Sequence, residues 1–369
     1  MRVLITGSHG FIGKNLVCRL NEIDDIEIVE FNKEDDFSKI KDELLKLDFI
    51  FHLAGVNRPT DVKEFYTGNT SLTEDIINEV ESQKLDIPIL ITSSIQAELD
   101  NDYGKSKKEA EEIVSKYGEK HKAYIYRLHN VFGKWCKANY NSVVATFCYN
   151  IANGLDITIN DKDKTLNLIY IDDVINEFLN VLETGKPSCI KNGICYVSPV
   201  YEKNLGYIAD KIKEFNVSMK SIIVPETGDD FVKKLFSTYL SYVPLDDMVY
   251  IPHMNIDDRG SFTELIRTKY DGQVSVSVSH KDIIRGNHYH HTKMEKFIVV
   301  QGMAKITFKH VLTGEEKEYL VDDTEFKIVN IPVGYSHKIQ NIGDKEMILL
   351  IWCNELFDKE KPDTYYREI

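Results

Sequence analysis

Apolar residues recur along this chain in two different rhythms. Over the first 130 residues, short apolar runs alternate with stretches whose apolar positions return every three to four residues. Val3-Leu4-Ile5 and the segments 26–31, 49–53, 87–92 and 123–128 read as strands. Residues 11–20, 62–83 and 103–118 read as helices. This alternation predicts right-handed βαβ units and an α/β Rossmann-type, doubly wound parallel sheet. Residues 140–240 are less regular, with helical patterns at 173–182 and 204–215, and read as the remainder of the same domain. From about Tyr242 the rhythm shortens. Strand-forming β-branched runs are separated by the turn signals Asp271-Gly272, Thr313-Gly314 and Ile342-Gly343, which predicts an all-β domain. The expected division is therefore 1–244 and 245–369.

Composition narrows the partners. A chain of 369 residues with 43% hydrophobic residues can bury two cores. A net charge of −14 argues against nucleic acid or an anionic membrane as a general partner, because phosphate binding wants a basic surface. The six cysteines are scattered and form no C-x-x-C pair, so they read as reduced thiols. The opening residues run directly into a strand, with no secretory leader, and no apolar run approaches 18 residues. The expectation is a soluble cytoplasmic protein without membrane insertion.

Two signatures carry chemistry in the first domain. Gly7, Gly10 and Gly13 form G-x-x-G-x-x-G after a strand and at the opening of a helix. Such a turn lets backbone N–H groups approach a dinucleotide pyrophosphate at a helix N-terminus. Tyr103 and Lys107 form Y-x-x-x-K at a helix start, which places phenol and ammonium on one face. The ammonium is expected to lower the phenol's pKa and make it a better acid toward a carbonyl oxygen. Thr92-Ser93-Ser94 ends the fourth strand, where open α/β sheets bind ligands.

With the later landmarks His52-Leu53-Ala54-Gly55, Arg127 to Gly133 and Leu168 to Val174, residues 1–240 resemble the extended short-chain dehydrogenase/reductase family. The resemblance implies that Ser94 polarises a substrate carbonyl, Tyr103 donates the proton, and Lys107 tunes the tyrosine and holds the nicotinamide ribose. It further implies cofactor contacts from Gly7, His9, Gly10, Phe11, Ile12 and Gly13, and from Leu53, Ala54 and Gly55. Substrate contacts fall to Ser94, His129 and Asn130. One departure is informative. Asn32 occupies the position where NAD-dependent members place an acid, and Lys33 follows. Losing a carboxylate and gaining a cation suits a 2′-phosphate, so the expected cofactor is NADPH.

The second domain carries H-x-H-x4-E-x6-G, from His288, His290, Glu295 and Gly302, followed by P-x-G-x2-H-x3-N with His337. This pair of motifs resembles the cupin family, a small jelly-roll barrel. Alternation along a strand puts His288 and His290 on one face. His288, His290, Glu295 and His337 are the expected ligands of one zinc ion, with His288, His290 and Glu295 read as one hairpin region. Phe326 stands where the second motif normally has a glycine. A second resemblance competes for the same residues. Asp257 to Glu264 and Ile284 to Tyr289 are similar to deoxysugar 3,5-epimerases of the same barrel class, in which the matching histidine is a base and no metal is used. His288 is therefore either a ligand or a base, with Arg259 or Lys296 as the cation near the substrate oxygen.

The order of the two domains is similar to that of fused reductase–cupin enzymes of capsular polysaccharide biosynthesis. That resemblance implies a homodimer and a UDP-sugar substrate, UDP-2-acetamido-2,6-dideoxy-L-arabino-4-hexulose. The barrel would invert C3 before NADPH reduces the C4 ketone, giving UDP-N-acetyl-6-deoxy-L-talosamine. The order follows from the chemistry, because C3 is acidic only while the ketone is present. The alternative is a reductase or epimerase whose barrel is a zinc-stabilised dimerisation module.

Overall fold

The computed structural model describes residues 1–369. Its contacts group into two units, Met1–Lys213 with Asp230–Pro244, and Glu214–Asp229 with Leu245–Ile369. The segment 214–229 thus joins the second unit, although the sequence rhythm assigns it to the first. The reason is backbone pairing: Val224 N–H donates to the Arg267 carbonyl at 2.8 Å, and Arg267 N–H donates to the Ile222 carbonyl at 2.7 Å.

The first unit contains β1 (Arg2–Thr6), β2 (Glu27–Phe31), β3 (Phe49–His52), β4 (Ile89–Ser94), β5 (Ala123–Leu128), β6 (Asn130–Phe132), β7 (Thr165–Tyr170), β8 (Ile190–Lys191), β9 (Ile194–Cys195) and β10 (Tyr201–Asn204). Its main sheet has the order β2-β1-β3-β4-β5-β9-β8 and is parallel except at β8–β9. Both faces are covered. Val3, Ile5, Phe51 and Tyr126 pack toward one helical layer, whereas Leu4, Ile50, Ile89 and Ile125 pack toward the other. This is why β1, β3 and β4 carry unbroken apolar runs at 3–5, 49–51 and 89–91 rather than alternating. The order reverses at β1, so the carboxyl ends of β1, β3 and β4 open onto a crevice.

The second unit contains β11 (Met254–Asp257), β12 (Gly260–Arg267), β13 (Gln273–Ser279), β14 (Ile284–Tyr289), β15 (Glu295–Gln301), β16 (Met303–His310), β17 (Glu316–Asp322), β18 (Ile328–Ile331), β19 (Tyr335–Asn341), β20 (Met347–Cys353) and β21 (Tyr365–Tyr366). They form two antiparallel sheets, β11-β12-β13-β20-β15-β18 and β17-β16-β19-β14-β21. Phe297, Val299, Ile306, Ile339 and Leu349 fill the space between them. One strand inverts the usual pattern. β13 buries Gln273, Ser275, Ser277 and Ser279 and leaves its valines half-exposed. Its register with β20, and that of β20 with β15, puts Gln273 on the same face as Cys353 and Glu295.

No helix is long and apolar enough to cross a membrane.

Candidate functional site

The glycine turn follows β1 directly. Gly7 has φ +72°, and a Cβ there would lie 2.8 Å from the Ala54 Cα. A Cβ at Gly13 would lie 2.2 Å from the Gly7 carbonyl oxygen, so the turn and the helix Phe11–Leu20 close only on glycine. Gly10 precedes that helix and has no side chain to cap it, which leaves backbone donors facing the crevice. Asn32, just beyond β2, is committed to this turn. Its Oδ1 accepts from His9 N–H at 3.0 Å, and its Nδ2 donates to Ser8 Oγ at 2.8 Å. Lys33 is exposed, and its charge reaches Glu64.

Behind the end of β3 lies a buried polar chain. Thr6 Oγ1 and His52 Nδ1 are 2.7 Å apart, and His52 Nε2 and Thr73 Oγ1 are 2.8 Å apart. Burial, followed by the nearby Lys107 charge, pushes the His52 pKa down to about 3, so this imidazole is a neutral structural link. The chain orients Leu53 and Ala54, and Ala54 N–H donates to Thr6 Oγ1 at 3.1 Å. Gly55 lies against the lysine, since a Cβ there would sit 2.9 Å from Lys107 Nζ.

Tyr103 and Lys107 lie on the helix Asp102–Gly118, which Asn101 caps by accepting from Gly104 N–H at 2.8 Å. Lys107 Nζ donates to the Thr92 carbonyl at 3.1 Å, and burial pushes its pKa down to about 8 against the opposing charge of Glu111. Glu111, one turn further, is buried and accepts from Ser93 Oγ at 2.6 Å and from Arg127 Nε at 2.8 Å. This fixes β4, β5 and the helix as one rigid block beneath Ser94. Ser94 sits at the β4 terminus, where its Oγ accepts from Gln96 N–H at 3.2 Å and bonds the Tyr103 phenol.

One expectation fails here. The Tyr103 pKa is raised, not lowered: burial dominates, the Ser94 bond opposes it, and Lys107 is not among the groups that move it. The i, i+4 spacing gives the right face, but it does not reveal the burial of the phenol, and Lys107 Nζ points to the Thr92 carbonyl.

A single cleft of about 1020 Å³ joins these parts. It is lined by Gly7, His9, Gly10, Phe11, Ile12 and Gly13 at one end, and Leu53, Gly55, Ser94, Tyr103 and Lys107 beyond them. His129 and Asn130 also face it, and the His129 Nδ1 is buried without a partner. Asn32, Lys33 and Ala54 do not line it. Sequence reasoning missed the residues of the far wall, among them Arg58, Trp135, Lys137 and Tyr140. Arg58 and Lys137 flank the Tyr140 ring at 5.9 and 5.1 Å. In a chain with 59 acidic residues, none lines this cleft. Lys14, Arg58, Lys107 and Lys137 do. The cleft is built for an anion.

The second cluster lies between the sheets of the β unit. His288, His290, Glu295 and His337 bring one ligand atom each to within 4.8 Å of one another. His290, Glu295 and His337 are buried, and His288 is half-buried. The histidines and the glutamate do not share a hairpin. β14 pairs with β19, which sets His288 opposite His337, whereas Glu295 opens β15 in the other sheet. The carboxylate therefore meets the imidazoles from across the barrel. Its Oε2 lies 3.4 Å from His290 Nε2 and 3.3 Å from His337 Nε2. These three atoms are buried and lack hydrogen-bond partners. Convergent orphaned donors of this kind fit a divalent cation, and three imidazoles with one carboxylate suit a first-row metal such as zinc. Burial would push the Glu295 carboxyl up, but the adjacent His290 and His337 imidazoles hold it well below the usual carboxylate range. Burial and the neighbouring His337 push the His288 pKa down to about 4.

One of the two expected cations points elsewhere. Lys296 faces away from the cluster and donates to Asn330 Oδ1 at 2.6 Å. Arg259 is half-exposed and paired with Asp257. Lys293 takes the place next to the cluster, buried with its Nζ 3.6 Å from Glu295 Oε1. No spacing rule marks it, because it lies in the loop that carries the chain from one sheet to the other.

The model of the NAD dependent epimerase/dehydratase family matches residues 3–192, and that of the Polysaccharide biosynthesis C-terminal domain matches residues 255–365. The chain belongs to the NAD dependent epimerase/dehydratase family. It is 44% identical over 368 residues to the UDP-2-acetamido-2,6-beta-L-arabino-hexul-4-ose reductase of Pseudomonas aeruginosa, covering 99% of this chain and 98% of that protein. The crystal structure of the capsular polysaccharide assembling protein CapF from Staphylococcus aureus superposes with a TM-score of 0.92 at 44% identity, over 100% of both chains. The UDP-glucuronic acid 4-epimerase of Bacillus cereus shares the fold of the first unit. Its match has a TM-score of 0.55 at 17% identity and covers 66% of this chain and 98% of that one.

Proposed function

We propose that this chain is a two-step nucleotide-sugar enzyme with a reductase domain at 1–244 and a cupin epimerase domain at 245–369. The β unit inverts C3 of UDP-2-acetamido-2,6-dideoxy-L-arabino-4-hexulose. The first unit then reduces the C4 ketone to UDP-N-acetyl-6-deoxy-L-talosamine, a precursor of UDP-N-acetyl-L-fucosamine. The observation that carries this reading is the acid-free cleft, in which Ser94, Tyr103 and Lys107 meet a glycine turn. The name of the 44% identical reductase supports the substrate class.

In the reductase, NADPH supplies the hydride. The backbone donors after Gly10 would hold its pyrophosphate, and Lys107, which here donates to the Thr92 carbonyl, would hold the nicotinamide ribose. Ser94 orients the ketone oxygen by hydrogen bonding, and the Tyr103 phenol delivers the proton to it. His129 and Asn130 hold the sugar, with the free His129 Nδ1 as one contact. Asn32 in place of an acid, with Lys33 beside it, supports NADPH over NADH.

In the β unit, a zinc ion held by His290, Glu295 and His337 would supply positive charge to a developing enolate oxygen. His288 either completes the ligand set or removes the C3 proton. Its half-buried position and its pairing with His337 are compatible with both roles. Lys293 keeps Glu295 in place from behind. Cytoplasmic location and a homodimer complete the reading.

The test is a time course of NADPH absorbance with the UDP-4-keto sugar in deuterated water, followed by mass analysis of the product. NADPH consumption with one deuterium at C3 is expected. Consumption without deuterium would leave a reductase with a structural barrel, and absence of consumption would reject the substrate class.

A further inference from the structure

The loop between β14 and β15 carries His290 and ends at Glu295, yet little of it is held by its own sheet. Gly334 ties the His290 carbonyl and Asn354 ties Met294, and the stretch between them is held by Asp363. The Asp363 Oδ2 accepts from Thr292 N–H and from Lys293 N–H, each at 2.8 Å, and from Thr292 Oγ1 at 3.0 Å. Its Oδ1 accepts from His291 N–H at 3.1 Å. Three consecutive backbone donors thus converge on one carboxylate. The same residue's carbonyl oxygen lies 2.7 Å from His290 Nδ1. A proton on Nδ1 donated to that carbonyl leaves Nε2 unprotonated, and Nε2 is the atom that faces Glu295. Asp363 adopts φ +34°, a left-handed conformation that is unfavourable for a residue with a side chain. Four bonds to the carboxylate offset that cost and fix where the carbonyl points.

The segment around Asp363 is stitched to the same strands. Tyr365 and Tyr366 pair with Tyr289 and His288. Arg367 N–H donates to the Asn287 carbonyl at 2.8 Å, and Ser336 Oγ donates to the Arg367 carbonyl at 2.5 Å. Each attachment is within one residue of His288 or His337, or on the loop beside His290.

We propose that Asp363 is the positioning residue of the metal cluster: its carboxylate holds the ligand loop, and its carbonyl selects the His290 tautomer that presents Nε2 to the cation. The segment 363–367 is therefore a latch whose order is coupled to metal occupancy. This rests on the reading of the cluster as a zinc site. Coupling of this kind is reciprocal, so zinc orders the latch as much as the latch favours zinc.

The test uses the full chain and Zn2+ alone, titrated in competition with a chromophoric chelator, with NADPH binding as the check on the first unit. Outer partners of ligating histidines carry about 10–100-fold in metal affinity. Asp363→Ala is expected to weaken zinc by that factor while NADPH binds as before. Asp363→Gly, which accepts the left-handed φ but has no carboxylate, is expected to lose as much. Retention of wild-type affinity by either variant overturns the inference. If Asp363→Ala fails to fold, Asp363→Asn, which keeps one acceptor oxygen, decides it: affinity between wild type and glycine supports the role, and wild-type affinity overturns it. Hydrogen exchange supplies the second readout. Zinc is expected to slow exchange of the Thr292, Lys293 and Arg367 amides in wild type and not in Asp363→Gly. Unchanged exchange in zinc-loaded wild type overturns the coupling. If wild type binds no zinc, the metal reading and this inference fall together. If wild type binds and the variants bind equally, only this inference falls.

Discussion

Replacing Lys107 with methionine should make the nucleotide-free protein more stable while destroying reduction. Lys107 is buried, and its pKa is pushed down from 10.5 to about 8 chiefly by loss of hydration. The unfolded chain restores the ordinary value. Between pH 8 and 10.5 the unfolded state therefore binds more protons than the folded one, and stability rises with pH across that window. Below pH 8 the charged lysine costs its full penalty. A shift from 10.5 to about 8 corresponds to about 3 kcal/mol at about 1.36 kcal/mol per pH unit. Losing the bond from Nζ to the Thr92 carbonyl returns about 1 kcal/mol. Lys107→Met should then gain about 2 kcal/mol at pH 7 and no net advantage near pH 10.5. Urea unfolding would be followed at both pH values in a Trp352→Phe background, so that Trp135, on the cleft wall, reports the first unit alone. A variant less stable than wild type at pH 7, or an equal difference at both pH values, would refute the claim that Lys107 is held charged against its surroundings.

Three further outcomes are expected. Tyr103→Phe should lower NADPH oxidation at least about 100-fold, the lower range for general acid catalysis, while deuterium still enters C3 in a mass assay. Glu295→Gln removes the one anion of the cluster. Metal analysis after dialysis should find less than a tenth of the wild-type zinc, with NADPH binding unchanged. Lys33→Ala should lower the ratio of kcat/KM for NADPH over NADH about 2- to 5-fold, roughly the value of one exposed charge contact. An unchanged ratio would remove Lys33 from cofactor choice.

The parts of the fold that were legible are those where one physical rule acts alone. Parallel strands buried on both faces carry unbroken apolar runs, so the runs 3–5, 49–51 and 89–91 in β1, β3 and β4 announce themselves. The glycine turn is legible because nothing larger than glycine fits at Gly7 or Gly13. Elsewhere two rules compete. Alternation in β13 is plain, but alternation alone does not say which set is buried, and here it is the serines rather than the valines. Likewise, spacing makes His290 and Glu295 look like one hairpin, because a sequence does not record that the chain changes sheets between them. Lys293 and Asp363 were invisible for a related reason. Their roles depend on loop geometry and on a contact across about 70 residues. The Tyr103 expectation failed because spacing along a helix does not record how deeply the phenol is buried, and burial is what raises its pKa.

The cleft without carboxylates lies in a protein of net charge −14, and that contrast governs how ligands arrive. A polyanionic nucleotide approaching from a distance meets repulsion, and only within a few ångströms do Lys14, Arg58, Lys107 and Lys137 dominate. The two fields have different reach, so salt separates them. At about 0.01 M ionic strength the screening length is about 30 Å and the repulsion acts across the whole molecule; at about 0.1 M it is about 10 Å and the repulsion is largely gone. Association should therefore speed up as salt is first added and slow down only when the local cations are screened in turn. Encounter rate and bound-state affinity respond to the same ions in opposite directions over that first interval.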